Sequence, residues 1–108
     1  MKGVLNVKIS LTTNALEKLK KIDIQPPKGI RVHASMSSGW SSTAKFDLVL
    51  DEPKEDDEDN IVSDLLFYLP PDTIRLMEEK IILDYNPTYG YVIKTANEIL
   101  QFGVKLQT

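Results

Sequence analysis

The chain has 108 residues, 42% of them hydrophobic and 27% charged, the composition of one folded globular domain spanning 1–108. Sixteen acidic against 13 basic side chains leave a formal charge of −3, so the basic footprint that nucleic acid requires is missing. There is no cysteine, which excludes disulfides, thiolate catalysis, zinc ribbons and ligation of an iron–sulfur cluster by thiolates of this chain.

In chain order, residues 4–10 alternate Val4, Val7 and Ile9 with Asn6, Lys8 and Ser10 and predict a first strand. The start at Met1–Lys8 is too polar for a signal-peptide core, and no apolar run reaches the roughly 20 residues that cross a bilayer, so a cytoplasmic protein without a membrane partner is expected. A helix follows, running to about Asp23. Asn14 and Glu17 have capping-box spacing, and Thr12 or Thr13 could cap instead. Leu16, Leu19 and Ile22, with Ala15 beside them, form its inward stripe. Gln25-Pro26-Pro27-Lys28-Gly29 is a stiff linker.

Two alternating strands come next. Ile30, Val32, Ala34 and Met36 interleave with Arg31, His33 and Ser35, and Ala44, Phe46, Leu48 and Leu50 with Lys45, Asp47 and Val49. Period-two alternation places one face of each on a core and the other in water. Between them, Ser37-Ser38-Gly39-Trp40-Ser41-Ser42 sets the only tryptophan beside a glycine. Residues Ser38, Gly39, Trp40 and Ser41 are the candidate interaction loop. Trp40 either anchors a partner, as tryptophan does at binding hot spots, or caps the open edge of the core.

Residues 51–59 hold seven acids in nine positions and predict a solvated loop. Ile61-Val62 and Leu65–Leu69 resume strand character, the second run apolar throughout and suited to burial on both faces. Pro70-Pro71 stop it, and Asp72 is placed to cap a short turn over 73–77. Residues 80–86 and 91–95 read as an antiparallel hairpin, with Asn86-Pro87-Thr88-Tyr89-Gly90 suited to a type I turn. Val104 and Leu106 alternate within a last strand over 101–108. The sum is mainly β (α+β), with one N-terminal helix.

Chemistry is sparse. His33, the only histidine, would have to serve any Ser/His/Asp mechanism, with Ser38 and Asp47 as partners, yet it lies on the polar face of a strand and no nucleophile elbow accompanies it. The acidic run lacks the ligand spacing of an EF-hand calcium loop. No catalytic, cofactor-binding or metal residue is assigned from the residues alone.

The order strand, helix, alternating strand, Ser-Gly-Trp-Ser loop, alternating strand, Asp51-Glu52-Pro53 and acidic loop resembles the HesB/IscA family of iron–sulfur cluster biosynthesis proteins. Its carriers are Leu11 to Leu19, Ile30-Arg31-Val32 through Pro53, and Leu83-Asp84-Tyr85-Asn86 with Lys94 to Ile99. The last two segments are similar to the YqkB-like branch of Gram-positive bacteria. Members of the family hold iron or a cluster through one loop cysteine and a C-terminal Cys-x-Cys pair. Here Trp40 stands at the loop position, Ser42 replaces the following glycine, and Phe102-Gly103-Val104-Lys105 has no cysteine pair. The resemblance implies a HesB-like mixed-sheet pseudo-barrel with one N-terminal α-helix. It further implies a non-enzymatic binding or accessory module that ligates no cluster, takes no cofactor, meets a protein partner of the iron–sulfur assembly machinery and can form homo-oligomers. The alternative is a small hydrolase-like or metal-dependent enzyme using His33 and the acidic-loop carboxylates.

Overall fold

The structure, a computed structural model, describes residues 8–36, 44–77 and 80–108. Strand β1 (Ile9–Leu11) leads into helix α1 (Thr13–Lys20), and strands β2 (Gly29–Met36) and β3 (Ala44–Asp51) form the long central pair. Strands β4 (Glu58–Val62) and β5 (Leu65–Leu69) precede helix α2 (Pro71–Leu76), and strands β6 (Ile81–Asn86), β7 (Gly90–Lys94), β8 (Ile99–Val104) and β9 (Leu106–Gln107) complete the chain. The strands make two mixed sheets, ordered β1-β6-β7-β8 and β4-β5-β2-β3-β9. Parallel pairs join β1 to β6, β2 to β5 and β3 to β9, and the remaining pairs are antiparallel.

The alternation of β2 and β3 has its predicted result except at Met36, which is 48% exposed at the end of its strand. Ile30, Val32 and Ala34 pack with Phe46 and Leu48 inside, and the register runs from Gly29 opposite Asp51 to Met36 opposite Ala44. Phe67, Tyr68 and Leu69 are buried in succession, so β5 is covered on both faces, as its unbroken apolar run requires. Ala15 and Leu19 of α1 join this core with Ile81, Leu83, Tyr91 and Ile93 of the other sheet.

Of the caps the sequence offers for α1, Thr12 serves: its hydroxyl accepts from the Ala15 N–H at 3.2 Å and donates to Asp84 Oδ1 at 2.6 Å, tying the helix to β6. Several local expectations are corrected. The helix closes at Lys20, short of Asp23. Residues 71–76 form a second helix whose N-cap is Pro70; Asp72 sits in its first turn and pairs with Arg75 instead of capping. The acidic run is not wholly a solvated loop, because its last two residues open β4 and its Asp57 carboxylate turns inward. The tail is two strands, parted at Lys105. Strand β1 begins at Ile9, and the predicted strand positions 4–7 lie outside the described residues.

Candidate functional site

Met36 and Ala44, the paired residues at the ends of β2 and β3, flank the segment that the sequence singles out. The candidate loop itself, Ser38, Gly39, Trp40 and Ser41, lies outside the described residues. His33 sits opposite Asp47 across the pair and is exposed. Neither lines the two cavities described below, and no group of three His, Cys, Asp or Glu able to hold a metal exists among the described residues.

Arg31 departs from the pattern of its strand. It belongs to the polar face, yet its side chain is 6% exposed. Asp57 encloses it from the acidic run: both carboxylate oxygens lie 2.9 Å from Nη1, while Nη2 donates to the Glu52 carbonyl at 2.6 Å. Asp51 is 3.5 Å from Nε, and the guanidinium lies over the Tyr68 ring, whose hydroxyl donates to the Pro27 carbonyl. The Tyr68 phenol is pushed above its ordinary range, first by burial and then by the nearby Asp59 and Asp57 charges. This arrangement clamps the acidic run onto β2. It takes Asp57 away from any metal-binding role.

Two cavities flank the β6–β7 hairpin. One, of about 400 Å³, lies between α1, the hairpin and the C-terminal strand, with Lys18, Ile22, Tyr85, Tyr91 and Lys105 in its wall. Lys18 Nζ stands 5.1 Å from the centre of the Tyr85 ring, which meets Tyr91 edge-on at 4.9 Å. The Tyr91 hydroxyl is buried without a hydrogen-bond partner among the described residues, and burial pushes its pKa up to about 12. The other, of about 610 Å³, lies on the outer face of the four-stranded sheet among Asp84, Tyr89, Val92, Lys94, Ile99 and Phe102. Asp84 is held below the usual carboxylate range, chiefly by the Thr12 hydroxyl and against the opposing push of burial, with the Tyr85 N–H and Lys94 assisting.

The sequence reading missed this outer face. Its signal was the alternation Ile82, Asp84, Asn86 and Val92, Lys94, but the strand that completes it, β8, begins at Ile99, ahead of the last strand predicted over 101–108. What these residues offer is binding surface. No nucleophile, base and orienting carboxylate come together among the described residues.

No protein-family model matches the chain, and no curated protein matches it. Its architecture, two mixed sheets with an N-terminal helix against them, is shared with a solved structure. That structure is the "crystal structure of a putative Fe-S biosynthesis protein from Lactobacillus acidophilus", similar at a TM-score of 0.68 and 18% identity over 94% of this chain and 90% of that one. The likeness is one of fold. The donor set does not extend it to a cluster, because thiolates are what select iron–sulfur clusters and this chain has none.

Proposed function

We propose that this chain is a non-enzymatic binding or accessory module of iron–sulfur cluster biosynthesis, which works without holding a cluster of its own. The observation that carries the reading is the pairing of a fold shared with an iron–sulfur biosynthesis candidate and a sequence without one cysteine. Carboxylates and a single histidine are hard or borderline donors and substitute poorly for thiolates. The partner in this reading is a protein of the iron–sulfur assembly machinery, met in the cytoplasm. The contact is the loop Ser38, Gly39, Trp40 and Ser41, with Trp40 as the anchor.

Two measurements test it. Anaerobic reconstitution of the purified chain with ferrous iron and sulfide leaves it colourless, with no visible charge-transfer band; a brown protein holding stoichiometric iron overturns the reading. Affinity capture from native lysate, compared with Trp40→Ala, recovers assembly proteins with the wild type only. Retention of every partner by the variant removes the loop from the proposal.

A further inference from the structure

The smaller cavity is framed by one row of the four-stranded sheet. Tyr85 pairs with Tyr91 and Tyr91 with Val104, so the three lie side by side across β6, β7 and β8. The cavity of about 400 Å³ opens between that row, the end of α1 and residues 104–106. Such a volume lies within the roughly 300–1,000 Å³ of small-molecule sites.

Burial sorts the wall. Tyr91 and Val104 are buried, Ile22, Tyr85 and Leu106 are half-buried, and Lys18 and Lys105 are exposed. The depth is therefore apolar and aromatic, and the rim is cationic. Among the described residues, Lys18 and Lys105 are the only charged side chains of the wall, and neither forms an ion pair. On a chain of formal charge −3, the mouth thus carries the opposite sign to the whole. The Tyr85 ring, 5.1 Å from Lys18 Nζ, holds that ammonium in place without cancelling its charge. A rim of this kind favours an anion, and an aromatic depth favours a flat ring that meets Tyr85 and Tyr91 by edge or face.

The third feature is the Tyr91 hydroxyl, buried with no partner among the described residues. Its raised pKa, about 12, keeps the proton in place at neutral pH, so the group is a donor. Phenylalanine would fill the same space without the cost of an unpaired hydroxyl. A local cost with no structural return marks a group whose partner arrives from outside.

We propose that this cavity binds a small aromatic carboxylate with an oxygen on its ring, the carboxylate at Lys18 and Lys105, the ring against Tyr85, and the ring oxygen accepting from the Tyr91 hydroxyl. Its residues lie away from the ends of β2 and β3, so the site requires nothing of the Trp40 loop and does not rest on the role proposed above.

An NMR titration of the full, isotope-labelled chain with para-hydroxyphenylacetate tests it. The expected result is saturable amide shifts centred on residues 18–22, 85–91 and 104–106. Tyramine, which carries an ammonium in place of the carboxylate, binds roughly tenfold more weakly. Phenylacetate, which lacks the ring hydroxyl, binds the wild type about fivefold more weakly, and Tyr91→Phe removes that difference. The double variant Lys18→Gln with Lys105→Gln weakens para-hydroxyphenylacetate roughly fivefold and narrows the gap to tyramine. Thermal unfolding of each variant shows a retained fold, since both lysines are exposed and the Tyr91 ring stays in place. A titration without saturable shifts, or with shifts elsewhere on the chain, overturns the proposal. So does equal affinity of the wild type for tyramine, or a phenylacetate difference that survives Tyr91→Phe.

Discussion

The hydroxyl of Thr73 stands where a neighbouring strand would, donating to the Val32 carbonyl at 2.7 Å and accepting from the Ala34 N–H at 3.0 Å. Strand β5 pairs with β2 only at Ile30 and Arg31, then ends at Leu69, so the next two polar groups of β2 would otherwise face apolar surroundings. Helix α2 delivers a fully buried threonine to them. Thr73→Val keeps the shape but leaves both backbone groups unpaired, at a cost of about 2–4 kcal/mol. Thr73→Ser keeps the hydroxyl and gives back most of that loss. Urea denaturation of the pair measures it; equal stability of the valine variant and wild type would show that the hydroxyl carries no such burden.

That contact marks the border between what was legible in the sequence and what was not. Strands β2, β3, β5, β6 and β7 and helix α1 each announce themselves by periodicity or by an unbroken apolar run, because burial of one face or two is written locally. Thr73, Arg31 and Phe102 are different. A threonine in a short helix, an arginine on a polar strand face and an aromatic in a tail owe their roles to partners 41, 26 and 10 positions away, respectively Val32, Asp57 and Val92. No local pattern carries that information. The strands on either side of the candidate loop were legible by their alternation, and the loop itself lies outside the described residues.

The Arg31–Asp57 pair is buried on both sides, at 6% and 2% side-chain exposure. Removing one partner strands a charge away from water, so Asp57→Asn or Arg31→Met lowers stability by about 3–5 kcal/mol. Replacing both with apolar groups, as Arg31→Met with Asp57→Leu, recovers much of the loss, since desolvation of the two ions disappears together. A double-mutant cycle by chemical denaturation supplies the coupling. Additive effects would mean that the two groups do not act as a pair.

The turn between β4 and β5 holds Ser63 and Asp64 at φ of 52° and 68°, both left-handed. Positive φ at both central residues is the signature of a type I′ hairpin turn, where glycine is at ease, asparagine and aspartate are the best of the rest, and every residue with a Cβ carries some strain. Asp64→Gly relieves that strain and raises stability by roughly 1 kcal/mol, the scale of the left-handed penalty. A shift of the thermal midpoint upward is the expected sign. A downward shift would mean that the aspartate side chain, not the backbone, holds the turn.

Asp84 links three elements, and its depressed pKa makes that link pH-dependent. A carboxylate whose folded pKa lies below its unfolded value of about 3.9 contributes stability that is complete above that value. The contribution is lost as pH falls through the folded pKa. The stability gap between wild type and Asp84→Asn is therefore constant at neutral and mildly acidic pH and narrows below about pH 4. Thr12→Ala removes the leading cause of the shift, so it moves the Asp84 titration upward, as NMR of the carboxyl carbon would record. An unmoved titration would assign the shift to Lys94 or to the Tyr85 N–H.

Tyr91 runs the opposite way. It is 4% exposed, packs edge-on against Tyr85, and finds no acceptor for its hydroxyl among the described residues. Leaving a buried hydroxyl unpaired costs about 1–3 kcal/mol, so Tyr91→Phe, which keeps the ring, is expected to stabilise the protein by about 1 kcal/mol at neutral pH. The same burial raises the folded pKa to about 12, with the neighbouring Tyr85 adding to it. A group with a raised pKa contributes stability that is fully present below its unfolded value, about 10 for tyrosine, and lost as pH rises toward the folded value. The wild type therefore weakens between about pH 10 and 12 in a way that Tyr91→Phe does not, and the advantage of the variant grows across that window. Urea midpoints of both proteins, taken at neutral pH and along the alkaline limb, give the difference directly. A Tyr91→Phe protein less stable than wild type would reveal a partner for the hydroxyl, and parallel alkaline limbs would show that the phenol ionises as freely in the folded chain as in the unfolded one.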